Sequence, residues 1–176
     1  MKDMKDLTGD KKRVADSEFA ELDICIEEGP VEPDEIKKMI PQSIAGLSRK
    51  ELVELCVNVF SRLGWNVKKN KKIICDPFIL KSDIVLLLGE KEYGYVDVVT
   101  DFSKDSLIKE KKQVQLVIEN VKPKLFILTN GMEYDVFWDG IFTQKCTIPP
   151  SVHSIRFCNR MEAYIDLFFP NIARGK

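Results

Sequence analysis

The chain of 176 residues is 44% hydrophobic and 31% charged, the balance of a soluble globular protein long enough for one domain with a core of its own. Its net charge is −1, and a single histidine, His153, excludes metal sites and triads built on several histidines. No apolar run approaches the roughly 20 residues of a membrane span, the stretch MKDMKDLTGDKKRVADSEF lacks the apolar core of a signal peptide, and the cysteines (Cys25, Cys56, Cys75, Cys146, Cys158) form no C-x-x-C pair, as expected of reduced thiols in a cytoplasmic protein.

Residues 1–45 read as an acidic extension, partly flexible, and 46–176 as the folded domain. The first segment carries 7 basic and 12 acidic side chains and the second 20 and 16. Nine of those acids lie between Val14 and Ile36 with no base among them, so the arm reads either as a solubilising tail or as a cover for a basic face. Leu22, Ile24 and Ile26 alternate as in a short strand, and Pro33-Asp34-Glu35-Ile36 opens a short helix that Pro41 stops. The spacing of Leu52, Leu55, Cys56, Val59, Phe60 and Leu63 predicts a helix over 49–63, with Ser48 and Glu51 as a capping box and Gly64 ending it.

Trp65-Asn66-Val67 reads as strand, and the run Lys68, Lys69, Lys71, Lys72 after it as a solvated turn or a phosphate-contacting patch. Strands follow at 83–89 and 93–100, rich in Val, Leu and Tyr. Ser103 caps a helix to about Asn120, and Leu125–Thr129 reads as a buried strand. Asn130-Gly131 turns the chain into Glu133–Trp138, and Asp139-Gly140 turns it again into Ile141–Cys146. Asn159 is placed as the cap of a last helix that Pro170 stops. Helix, three strands, helix, two or three strands and a helix make an α/β (α+β) fold with a mixed central sheet flanked by helices.

Asp83 opens one strand of the 82–101 hairpin and Asp97 lies midway along the next. If both face one way, the two carboxylates meet and repel unless a cation sits between them. A hard divalent ion such as Mg²⁺ takes oxygen ligands of this kind and can activate water. Without such a partner, Asp83 ends a turn and Asp97 is a half-exposed strand residue.

Three segments together resemble the PD-(D/E)XK nuclease superfamily, and more narrowly the N-terminal nuclease domain of type I restriction enzyme motor subunits. They are LSRKELVELCVNVFSRLGW (47–65), the Asp83/Asp97 hairpin, and QVQLVIENVKPKLFILTNGMEYDVFW (113–138). The resemblance implies a restriction-endonuclease-like core. It makes Asp83 and Asp97 metal ligands and Gln113 a residue near the substrate. It also implies departures. Val99 stands where the catalytic lysine belongs, Val117 where a tyrosine often follows the glutamine, and Val53 where a relative has a glutamate. Lys81, with the strand parity of Asp83, and Lys109, Lys111 and Lys112, just before Gln113, are the lysines able to take over the missing charge.

Three functions remain open: a non-catalytic or weakly active relative that binds nucleic acid or a partner protein, an active Mg²⁺-dependent endonuclease with a relocated lysine, and a partner-binding structural subunit. DNA is the expected nucleic acid, with Lys68, Lys69, Lys71, Lys72, Lys111 and Lys112 as its contacts. No Walker A motif is present, so a motor belongs to another chain.

Overall fold

A computed structural model describes residues 32–75, 77–100 and 104–168, with the side chains of Cys75 and Phe78, those from 104 to 111 and those from 162 onward outside the description. The alternating Leu22, Ile24 and Ile26, most of the acidic arm, and Ser103 lie outside the described residues. Ten elements follow in order: α1 (Pro33–Met39), α2 (Arg49–Arg62), β1 (Asn66–Cys75), β2 (Phe78–Leu88), β3 (Lys91–Val98), α3 (Lys104–Val121), β4 (Leu125–Thr129), β5 (Tyr134–Trp138), β6 (Ile141–Cys146) and α4 (Val152–Phe168).

The six strands form one sheet in sequence order. All neighbours are antiparallel except β3 and β4, which are parallel. A parallel pair needs a crossover of a dozen or more residues, and α3 supplies it. The chain is thus α/β with a mixed sheet flanked by helices, the arrangement of a restriction-endonuclease-like core.

Helix α2 begins where the sequence predicts. The Glu51 N–H donates to Ser48 Oγ at 3.3 Å, and the Ser48 N–H donates to a Glu51 carboxylate oxygen at 2.8 Å. Gly64 takes φ 86 just past the C-cap, a conformation that suits glycine. Leu52, Val53, Cys56, Val59 and Phe60 are its buried stripe. Helix α1 packs on it: Ile36 is fully buried, and Arg62 pairs with Glu35 at 2.5 Å.

On the other side of the sheet Val114 and Val117 of α3 join Ile73, Val85, Leu87, Tyr95, Val99, Phe126 and Leu128 in one apolar cluster. Central strands buried on both faces read as continuous apolar runs. Strand β4 follows that rule, with all five residues buried. Between β4 and β5 the Asn130 side-chain oxygen accepts the N–H groups of Met132 and Glu133, and Gly131 takes φ 88.

Two elements differ from the sequence reading. The lysine run is not a turn; it continues β1 to Cys75. Two of its charges, Lys69 and Lys71, are met by Glu54 and Glu92 from elsewhere in the fold. Helix α4 begins at Val152, well before Asn159. The Ser154 N–H donates to Ser151 Oγ at 3.1 Å, an N-terminal cap that follows Pro149 and Pro150 directly. Asn159 sits inside the helix and instead accepts the Tyr93 hydroxyl at 3.2 Å.

Candidate functional site

The β2–β3 hairpin pairs Ile84 with Val96 and Val85 with Tyr95. One residue further, the same register sets Asp83 opposite Asp97. The β2–β3 pairing ends at Ile84, and the β1–β2 ladder lacks one pair while keeping its register. On the other edge of β2 the paired residues go from Lys69↔Ile84 to Lys71↔Ser82. The residue between them on β1, Asn70, has φ 57, the left-handed region that asparagine tolerates. Next to the break, Ser82 is buried and its hydroxyl donates to the Ile84 and Val96 carbonyls.

The Asp83 carboxylate accepts the Val98 N–H at 2.8 Å. It therefore occupies a ladder position that β2 has vacated, bonded to the Asp97–Val98 peptide. The same oxygen takes a guanidinium nitrogen of Arg49 at 2.9 Å. Charge-assisted bonds of this kind are roughly twice as strong as neutral ones. Arg49 is the first residue of α2, so the contact joins the helix N-terminus to the point where the sheet opens. Asp83 also acts on the helix behind it. Burial first, and the negative charge of Asp83 second, push the Cys56 thiol up to about 12, so this buried cysteine is not a nucleophile near neutral pH.

Asp97 is 2% exposed, between Tyr95 and Val99 on the strand and level with Leu128 of β4. Val99, where the resemblance calls for lysine, is 5% exposed within the apolar cluster under α3. Val117 and Val53 are likewise buried. Gln113 is half-buried on α3 and makes a long hydrogen bond, 3.5 Å, from its amide nitrogen to the Lys81 carbonyl. The structure thus brings the Asp83 carboxylate to the Asp97–Val98 peptide and Gln113 to the Lys81 backbone, but the Lys81 side chain lies on the face opposite Ile73 and Leu80, away from the cluster whose Tyr95 and Val99 flank Asp97. The cation that pairs with Asp83 among the described residues is Arg49, not Lys81 or Lys112.

Sequence reasoning missed Arg49. A signal for it existed. Arg49 and Lys50 occupy the first turn of α2, where the helix dipole disfavours cations. A base placed there calls for an acid elsewhere in the fold.

The lysines expected to touch nucleic acid are dispersed. Lys69 pairs with Glu54 at 2.8 Å. Lys71 pairs with Glu92 and lies 5.7 Å from the centre of the Tyr95 ring. With Tyr95 also donating to it, Glu92 is held below the usual carboxylate range by Lys71 first and Tyr95 second. Lys68, Lys72, Lys81 and Lys112 are exposed. The side chains of Lys109 and Lys111 lie outside the described residues.

Among the described residues no group of three or more His, Cys, Asp and Glu side chains is placed to hold a metal ion, and no helix is long and apolar enough to cross a membrane. No family model and no curated protein matches the sequence. Among solved structures, one similar chain is in the cryo-EM structure of a DrdV–DNA complex, at 12% identity and a TM-score of 0.45. The match covers 77% of this chain, which spans only 13% of that one.

Proposed function

We propose that this chain is a restriction-endonuclease-like module that binds nucleic acid and has lost the means to cut it. One observation carries the reading. The position of the nuclease lysine is a valine packed inside the core, so the charge that would stabilise a phosphodiester transition state is absent from its strand.

The carboxylates fit the same reading. Mg²⁺ takes oxygen ligands and is commonly held by one or two carboxylates with several waters. Asp83 and Asp97 supply that minimum by register. Yet one oxygen of Asp83 already holds a guanidinium and a backbone N–H. Arg49 neutralises the aspartate as a divalent ion would, and it cannot lose its proton. The donor set suits an internal ion pair better than a resident metal, and no chemical step follows from it.

What remains is a sheet edge with exposed lysines, and Lys112 exposed on α3, in a segment, 46–176, that carries 20 basic against 16 acidic side chains. Lys112 precedes Gln113 on α3, and a backbone-contacting role needs no catalytic group. The kinship to type I motor subunits belongs to this proposal. It rests on the three segments at 47–65, 82–101 and 113–138, and it makes the motor a partner chain.

A second reading has its own support in the register that sets Asp83 opposite Asp97: a Mg²⁺-dependent endonuclease with Lys81 in the lysine's role. A cleavage assay with a gel shift on the same samples separates the two, using duplex DNA, single-stranded DNA and RNA with Mg²⁺, Mn²⁺ or chelator. The expected result is a shift without cutting, indifferent to metal. Metal-dependent cutting abolished by both Asp83→Asn and Asp97→Asn would overturn the proposal in favour of the enzyme. Neither shift nor cutting would leave a structural, partner-binding subunit.

A further inference from the structure

We infer that the outer face of the β1–β2 ribbon, formed by Lys72, Ile74, Ile79 and Lys81, docks into the major groove of duplex DNA; the inference deepens the nucleic-acid reading and rests on it. Beyond Ser82, strand β2 pairs with β1 alone, because its pairing with β3 ends at Ile84. The sheet therefore ends in a two-stranded ribbon. Its cross-strand pairs are Lys72↔Lys81, Ile73↔Leu80 and Ile74↔Ile79. Residues directly opposite on antiparallel strands share a face, and successive pairs alternate.

One face is accounted for. Ile73 is 6% exposed in the cluster under α3, and Leu80 packs against that cluster. The other face is not. Ile74 is 81% exposed and Ile79 69%, and both lysines are exposed. A fold places neither arrangement there for its own stability. Like charges directly opposite each other on a sheet destabilise it. Among the described residues neither Lys72 nor Lys81 has an acidic partner, whereas Lys69 and Lys71 of the same run each have one. Two unmatched cations side by side fit a polyanion.

The isoleucines select the kind of polyanion. An apolar pair one step along the same face cannot be answered by phosphates, but it can be answered by thymine methyl groups and sugar carbons on a groove wall. Shape then selects the groove. Strands lie about 4.8 Å apart before side chains are added. Such a ribbon suits a major groove about 12 Å wide, which admits two-stranded ribbons, and not a minor groove of about 6 Å. The long Lys72 and Lys81 stems reach the bordering phosphates while Ile74 and Ile79 meet the base edges. The bond from Gln113 to the Lys81 carbonyl ties the root of the ribbon to α3.

The test is fluorescence anisotropy of the full chain on a labelled duplex of about two helical turns, roughly 20 base pairs, titrated at several salt concentrations. The proteins are the wild type, Lys72→Gln/Lys81→Gln, Ile74→Ser/Ile79→Ser and, as a control, Lys124→Gln, at an exposed lysine paired with Asp139 before β4. Circular dichroism confirms that each is folded. The lysine pair is expected to lower affinity on the order of tenfold at 0.1 M salt and to flatten the salt slope by about 1.8, two phosphate contacts. The isoleucine pair is expected to lower affinity several-fold at unchanged slope, and Lys124→Gln to stay near wild type. Wild-type binding that both paired variants retain in full would overturn the ribbon and leave the nucleic-acid reading standing. A wild type that binds no duplex at any salt would overturn that reading as well. Loss with the lysine pair alone would overturn the groove placement.

Discussion

The two ends of the β1–β2 hairpin are made of the same two strands and behave as different materials. Toward the sheet, Ile84, Val85 and Leu86 are fully buried in succession, because helices cover both faces and β3 continues the ladder. Toward the tip, burial alternates: Ile73 is covered and Ile74 is not. The change falls at Asn70 and Asp83, where the register skips a pair and Arg49 comes down from α2. An apolar residue is thus core on one side of this break and free surface on the other, and hydrophobicity alone does not say which.

The sharpest way to break that contrast is to truncate one apolar side chain on each side. Leu86→Ala removes a fully buried side chain from the centre of the sheet. The lost transfer energy and the cavity left behind are expected to cost about 2–5 kcal/mol. The denaturant midpoint in urea measures it, with the slope unchanged. A loss below about 1 kcal/mol would mean that the sheet end relaxes as freely as the tip, and the contrast would fail.

Gly94→Ala comes next. Gly94 lies on β3 beside Leu125 of the parallel strand β4. A Cβ there would stand 2.9 Å from the Leu125 carbonyl oxygen, so two central backbones must move apart. Overpacking of this kind is expected to cost roughly 1–3 kcal/mol, read from the same urea transition. The glycine's role is close approach, and serine in its place is expected to do no better than alanine.

Much of this architecture is legible in the chain. Helix α2 announces itself by the Ser48/Glu51 box and its apolar stripe, and Asn130-Gly131 marks its turn, because both are set by residues within four positions of each other. The approach of Asp83 to Asp97 is not legible in this way: counted from Leu88↔Lys91 at the turn, Asp83 would fall opposite Val96, and a bulge between Leu86 and Leu87 shifts the register by one. The rest depends on distant partners. The lysine run reads as a turn because nothing local tells that Glu54 and Glu92 will receive Lys69 and Lys71. The start of α4 is missed because Asn159 is a plausible cap by type, while Ser151 after two prolines is the actual one. Arg49 is hard to read for a different reason: a base in the first turn of a helix calls for an acid, but that acid, Asp83, lies 34 positions away.

That ion pair marks the boundary between the two halves, and Arg49→Gln tests how much it holds. Arg49 is half-exposed while the Asp83 side chain is 15% exposed. The pair is therefore stronger than a surface bridge and weaker than a buried one. Its loss is expected to cost about 1 kcal/mol, with a smaller difference at high salt because the exposed partner is screened. Thermal unfolding at low and high sodium chloride measures both. A salt-independent loss would point to the packing of the arginine stem on the sheet instead of its charge.

The smallest expected effect is the most informative. Ile74→Ser/Ile79→Ser removes two large apolar side chains that are mostly in solvent. Surface substitutions away from packed features stay within about 0.5 kcal/mol, so the urea midpoint is expected to match wild type. A strand-forming residue facing water with no stability to gain is otherwise a liability, since exposed apolar strand tips invite association. If stability is unchanged while duplex affinity falls, the two isoleucines serve a contact and not the fold. If stability falls by as much as with Leu86→Ala, the tip is core after all, covered by residues beyond those described, and the face has no room for a groove.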